Sequence, residues 1–346
     1  KVYRFDREGM CLETETLLGG RVTFTYETEA PFRLVKAEKD TGEFFAFFYD
    51  TEGMLERVED HTGRGVAYRY QGELLKEATL PDGNAFRYGY TPQGKLEQVE
   101  NQRGIVTVEN FFDEEHRTTL QKFPDGTQMS YVYDAENRLN QVSVTKDGKT
   151  AVIQQNIYNG EGQRIQKVDG DETTNYYYQN GVVAYTTDAN GEQNSQNLIG
   201  TDGNVLATER FQQNATQYYL YNKDIQESTS SLVKEDGSAD ATYQYTDFGE
   251  TTIQGDDQAK NEVCYTGGIY DQSTGLYYLN AWYYNPEDGR FVTEDTYRGE
   301  TAKPETGHLY AYCANNPVNY VDPSGHFAIA VPILVKLVLV GGVVIY

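Results

Sequence analysis

An aromatic residue followed by a tight turn returns at a nearly constant interval along this chain, and that period limits what it can fold into. The anchors are Phe5, Tyr26, Tyr49, Tyr70, Tyr90, Phe112, Tyr133, Tyr158 and Tyr178. Tyr221 and Tyr245 continue the series at a looser spacing. Well-formed copies read YDTEGML at 49–55, YTPQGKL at 90–96, YDAENRL at 133–139 and YNGEGQRI at 158–165. A second aromatic often stands two positions before the anchor, as in Phe24/Tyr26, Phe47/Tyr49, Tyr68/Tyr70, Tyr131/Tyr133 and Tyr243/Tyr245. That spacing sends both rings to one face of a β-strand. On a helix, same-face neighbours stand three or four apart. Asp-Gly pairs at 82–83, 125–126, 147–148, 202–203 and 236–237, and Asn-Gly pairs at 180–181 and 190–191, suit the positive φ of hairpin turns. Each unit is therefore expected to be one or two short strands with two turns.

A unit this short cannot bury its own aromatic face, so the copies must stack on one another. The chain has 30 Tyr against 15 Phe and 1 Trp. Each buried tyrosine removes roughly 150–250 Å² from water and still needs a partner for its hydroxyl. Packing is the main reading of these rings, and a carbohydrate-binding face the alternative. One spacing resists a flat strand. Leu55/Val58, Leu96/Val99, Leu139/Val142 and Ile165/Val168 lie three apart, which requires either a bulge or cover on both faces.

Asp+Glu 53 against Lys+Arg 29 gives a net charge of −24, which disfavours nucleic acid or an anionic membrane as partner for the bulk of the chain. Three scattered cysteines rule out a dense disulfide scaffold and a CxxC metal module. The four histidines form no metal-binding spacing, and no cofactor motif is present. The chain opens inside a strand-like run and stops inside an apolar one, so it reads as part of a longer protein. The repeats are too few to close a cavity; an open curved sheet with free, association-prone edges is expected.

Tyr49-Asp50, Tyr133-Asp134 and Asn137-Arg138-Leu139 make the repeats resemble the Rhs/YD-repeat family. The run GGIYDQSTGLYYLNAWYYNPEDGRF at 267–291, with VDPSG at 321–325, is similar to the Rhs repeat-associated core domain. That domain ends the repeat array in bacterial polymorphic toxins, wall-associated proteins and Tc-toxin C subunits, and similar repeats occur in teneurins. The resemblance implies an all-β fold, hairpin repeats spiralling as part of a hollow shell, with a turn-rich cap and a hydrophobic C-terminal segment. It divides the chain into YD repeats (1–180), degenerate repeats (181–260), core domain (261–326) and tail (327–346). Read from the residues alone, 275–284 is a strand closed by the Asn285-Pro286 and Asp288-Gly289 turn.

The resemblance also implies a self-cleaving site of aspartyl-protease type. Its carboxylates map to Asp295 in GRFVTED and Asp322 in VDPSG, Arg290 could orient one of them, and the bond cut would be His326–Phe327. Such chemistry needs two carboxylates sharing one proton, so that one activates water while the other polarises the carbonyl. Thr296 stands where relatives have Pro, and His326 where they have Leu. The plainer reading is that both aspartates cap turns. The partners implied are the preceding repeats, a C-terminal toxin region of the same polypeptide and an immunity protein, at the bacterial cell surface, in the wall or secreted. The rival is a non-catalytic adhesion or carbohydrate-binding protein. Residues 327–346 carry one charge, Lys336. As a helix they would span about 30 Å, a membrane thickness. They read as the membrane-active start of an effector region, a transmembrane anchor or a buried strand.

Overall fold

The structure, a computed structural model, describes residues 2–7, 10–15, 19–212, 215–280, 282–293, 312–315, 317, 320–322 and 329–330. Among them there is no α-helix, and 24 strands form one antiparallel sheet. Each repeat is two strands and two turns.

The repeat's two signature residues have separate jobs. The residue after the anchor builds the turn: Asp50 Oδ1 accepts from the N–H groups of Glu52 and Met54, both at 2.9 Å, and Asp134 does the same for Glu136 and Arg138. Further into the turn φ is positive, at +90° for Gly53 and +65° for Asn137, which explains the Gly or Asn there. The anchor tyrosine links one repeat to the last. In most copies its hydroxyl donates to a backbone carbonyl of the preceding unit, close to where that unit's turn re-enters its strand, whereas Tyr221 donates to Asn261 Oδ1. Tyr49 reaches Leu34 O at 2.9 Å, Tyr90 reaches Leu75 O at 2.8 Å, Tyr133 reaches Thr118 O at 2.6 Å and Tyr178 reaches Arg164 O at 2.7 Å. In these copies the tyrosine hydroxyl thus finds its partner within the array.

The spacing of three is a bulge. Tyr49 pairs with Leu55 and Phe48 with Arg57, so Glu56 is skipped and Leu55 and Val58 share a face. The register shifts likewise between Val132 and Tyr133, which brings Leu139 and Val142 to the inner face at 2% and 0% exposure.

The chain divides into two compact units, residues 1–111 with 121–126 and residues 112–120 with 127–346. In the first, the outer face is a charged ladder. Lys36 lies over Phe44, Arg57 over Phe48 and Lys122 over Phe111, at 4.1 to 4.4 Å from the ring centres. Arg87 joins Glu77 and Glu100 across three strands.

In the second unit, the inner rings Tyr131, Tyr176, Tyr219 and Tyr243 are buried under the residues that follow the repeats. Those residues form a four-stranded sheet of Ile269–Asp271, Leu276–Tyr278, Tyr283–Asn285 and Arg290–Phe291. The stretch 275–284 is therefore not one strand: Leu279 N–H donates to Trp282 O and folds it into two. The turn at 285–289 is present, with Asn285 paired to Arg290.

Candidate functional site

The cap is fastened to the repeats by its backbone. Thr118 N–H donates to Val292 O at 2.9 Å, Tyr133 O–H to the same oxygen at 3.3 Å, and Gln226 Nε2 to Pro317 O at 2.6 Å. Its tyrosines take over the linking role of the repeat anchors, with Tyr265 O–H on Asp247 O and Tyr284 O–H on Phe248 O.

Of the residues singled out for self-cleavage, Asp322 and Arg290 are described; Asp295, His326 and Phe327 lie outside the described residues. Arg290 is half-buried, and its Nη1 donates to Gly289 O at 3.2 Å. Asp322 is 3% exposed. It directly follows Val321 of a two-stranded antiparallel pair in which Tyr320 faces Ala330 and Val321 faces Ile329. In sequence, the His326–Phe327 bond falls between those two strands.

Tyr312 joins the two motifs. Its ring meets Phe291, the residue after Arg290, edge-on at 6.0 Å. Its hydroxyl accepts the Asp322 backbone N–H at 3.4 Å. Burial, and then the charge of Asp322, push the neighbouring Cys313 thiol well above its usual range, so it stays protonated.

The motifs read from the sequence assign no role to the charged residues of a second cluster. Arg164, fully buried, places Nη1 2.5 Å from Asp271 Oδ2 and 2.7 Å from Tyr283 Oη. Lys167 Nζ lies 3.1 Å from Asp271 Oδ1 and 2.5 Å from Glu262 Oε1. Gln154 Nε2 donates to Asp271 Oδ2 at 2.8 Å, and Tyr176 O–H to Glu262 at 3.0 Å. The rings of Tyr176 and Tyr278 flank the guanidinium at 4.9 and 4.8 Å. Burial alone would raise the Asp271 carboxyl, but Arg164 and Lys167 outweigh it and hold the group down to about 2. Two cations and two carboxylates balance, so the cluster binds cap to repeats and leaves no charge free for chemistry. One signal is visible in the sequence: Arg164 occupies the slot filled by Leu55, Leu96 and Leu139 in other copies.

A cavity of about 140 Å³ between repeats and cap has a mixed lining, with Val183, Val205 and Leu279 beside Asn204, Lys223 and Thr266. Among the described residues no group of His, Cys, Asp and Glu could hold a metal ion, and no helix is long and apolar enough to cross a membrane. Of the tail, only Ile329–Ala330 is described, as a strand.

Residues 157–318 match the teneurin YD-shell family. A tRNA3(Ser)-specific nuclease WapA of Bacillus spizizenii is 31% identical over 278 residues, 75% of this chain and 12% of the relative. Toxin subunit YenC2 of Yersinia entomophaga is 26% identical over 57% of this chain and 22% of its own length. The chain thus spans less than a quarter of either relative. Among solved structures, the Tc holotoxin pore of Photorhabdus luminescens aligns with 95% of this chain and 21% of its own, at 14% identity and a TM-score of 0.40. With the tyrosine-linked repeats and the cap motifs, the family match and the two sequence relatives identify the chain as a YD-repeat protein of the Rhs type.

Proposed function

We propose that this chain is a wall segment and cap of a bacterial Rhs-type toxin, and that the cap, from about residue 261, cleaves its own backbone after His326. Asp322 and Asp295 would share one proton, with Arg290 as orienting cation. The observation that carries the reading is the burial of Asp322, 3% exposed, beside a strand pair whose intervening sequence holds the bond to be cut. A turn-capping aspartate at the surface has no need of such burial. The printed names of the relatives, a nuclease and a toxin subunit, support a role in containing an effector. With 12% of the nuclease covered, its activity on tRNA is not carried over to these residues. An effector beyond the cap, an immunity protein that neutralises it, and placement at the cell surface or outside the cell complete the proposal.

The test is intact-mass measurement on the purified chain after incubation at mildly acidic and neutral pH. Loss of residues 327–346, abolished in Asp322→Asn and in Asp295→Asn, supports it; a wild-type chain that stays whole at both pH values refutes it.

A second reading, adhesion or carbohydrate binding without catalysis, draws on the outer face of the second unit. Tyr177 and Tyr185 stack there at 4.3 Å, and Leu198, Tyr218 and Leu220 are 61%, 45% and 61% exposed. A glycan array probed with the wild-type chain and with Tyr177→Ala/Tyr218→Ala decides it. Binding lost in the variant supports adhesion, and an array without signal removes it.

A further inference from the structure

We infer that Tyr312 is a positioning residue for Asp322, an assignment that rests on the self-cleavage reading above. Tyr312 is fully buried. Its ring is held by three others, Tyr284 at 4.4 Å, Phe291 at 6.0 Å and Tyr265 at 6.2 Å. Two polar neighbours meet its hydroxyl, the N–H of Asp322 at 3.4 Å and Thr266 Oγ1 at 3.3 Å. Four of these contacts come from the stretch 265–291 and one from Asp322, so the side chain ties the GRF motif to the DPSG motif.

The hydroxyl suits this task. Burial, with Cys313 and Tyr265 nearby, pushes it far above its ordinary range, so it remains neutral wherever the cap could work. The next residue in sequence, Pro323, has no N–H and biases Asp322 toward extended backbone. Asp322's own N–H is therefore the local backbone donor through which its main chain can be fixed. While Tyr312 accepts that hydrogen, the N–H dipole is engaged and the carboxylate is kept for its catalytic partner. Without the hydroxyl, the same N–H can turn to a carboxylate, and a hydrogen bond to the charged form favours ionisation. The pair would then hold its shared proton only at lower pH.

The experiment follows cleavage of the 346-residue chain by intact mass across a pH series, with thermal melting alongside. Tyr312→Phe keeps the ring and removes the hydroxyl. It is expected to slow cleavage roughly tenfold, the cost of one misdirected hydrogen bond, and to move the rate maximum to lower pH. It should also raise hydrogen exchange at the Asp322 amide. Thr266→Val, which removes the hydroxyl's other partner, should act in the same direction and less strongly. A wild-type chain that cleaves while Tyr312→Phe matches it in rate and pH profile overturns the positioning role and leaves the self-cleavage reading standing. A wild-type chain that never cleaves overturns both. Should Tyr312→Phe fail to fold, Thr266→Val with wild-type rate and profile overturns the positioning role.

Discussion

At the level of the residue, what separates tyrosine from phenylalanine here is one hydrogen bond. The Tyr133 hydroxyl donates its one proton chiefly to Thr118 O at 2.6 Å, with Val292 O of the cap at 3.3 Å, so Tyr133→Phe leaves the ring packed and strips both contacts. A loss of about 1 kcal/mol in urea denaturation is expected, against almost none for Tyr177→Phe on the exposed outer face. The same carbonyl position is served differently where the anchor has no hydroxyl. Phe112 lacks one, and Asn110, two positions earlier, donates Nδ2 to Leu96 O at 3.0 Å. Ile199 stands where the next anchor after Tyr178 is due, and Asn197 donates to Val183 O at 2.9 Å. Asn197→Ala should therefore cost about 1 kcal/mol, and adding Ile199→Tyr should recover part of it. Equal urea midpoints for the single and double variants would show that a tyrosine hydroxyl cannot stand in for the asparagine at this carbonyl.

Among the elements, the joint between cap and repeats carries the largest single stake. Asp271→Asn would leave Arg164 and Lys167 buried beside one carboxylate instead of two, a loss of about 3–5 kcal/mol when a buried pair is broken. A double-mutant cycle between Asp271→Asn and Arg164→Met should show strong coupling. The pH dependence has a definite sign. The folded carboxyl is held down to about 2, below its unfolded value of about 4, so its stabilisation is complete above pH 4 and is lost as pH falls through about 2. Thermal melts from pH 5 to pH 2 should drop more steeply for the wild type than for Asp271→Asn.

This joint also marks where sequence reading stops. Strands and turns are legible because paired rings two apart, Asp-Gly turns and the Leu55/Val58 spacing are all local. The partnership of Arg164 with Asp271 spans 107 residues, and no periodic rule connects them. Asp322 stands out as a candidate by its motif, whereas Tyr312, which touches it, looks like one more aromatic in a tyrosine-rich chain. The run 275–284 reads as one strand because its alternation continues through the fold at Leu279–Trp282.

For the molecule as a whole, edges and charge oppose each other. Thr251–Gly255 pairs with Ala239–Tyr245 on one side, among the described residues. Unpaired strand edges recruit further strands, while a net charge of −24 keeps copies apart. Self-association should therefore increase with salt as repulsion is screened, and fall in Thr252→Lys. A monomer in sedimentation at high salt would count against it.

Between repeats, each tyrosine-to-carbonyl link points toward the N-terminus, and this gives the array a direction in time. A growing chain leaving the ribosome would present each turn with one bare carbonyl, sealed only once the following segment has emerged. Most newly made pieces thus complete their predecessor and wait for their successor, until Tyr265 and Tyr284 of the cap bond Asp247 O and Phe248 O in the last turn.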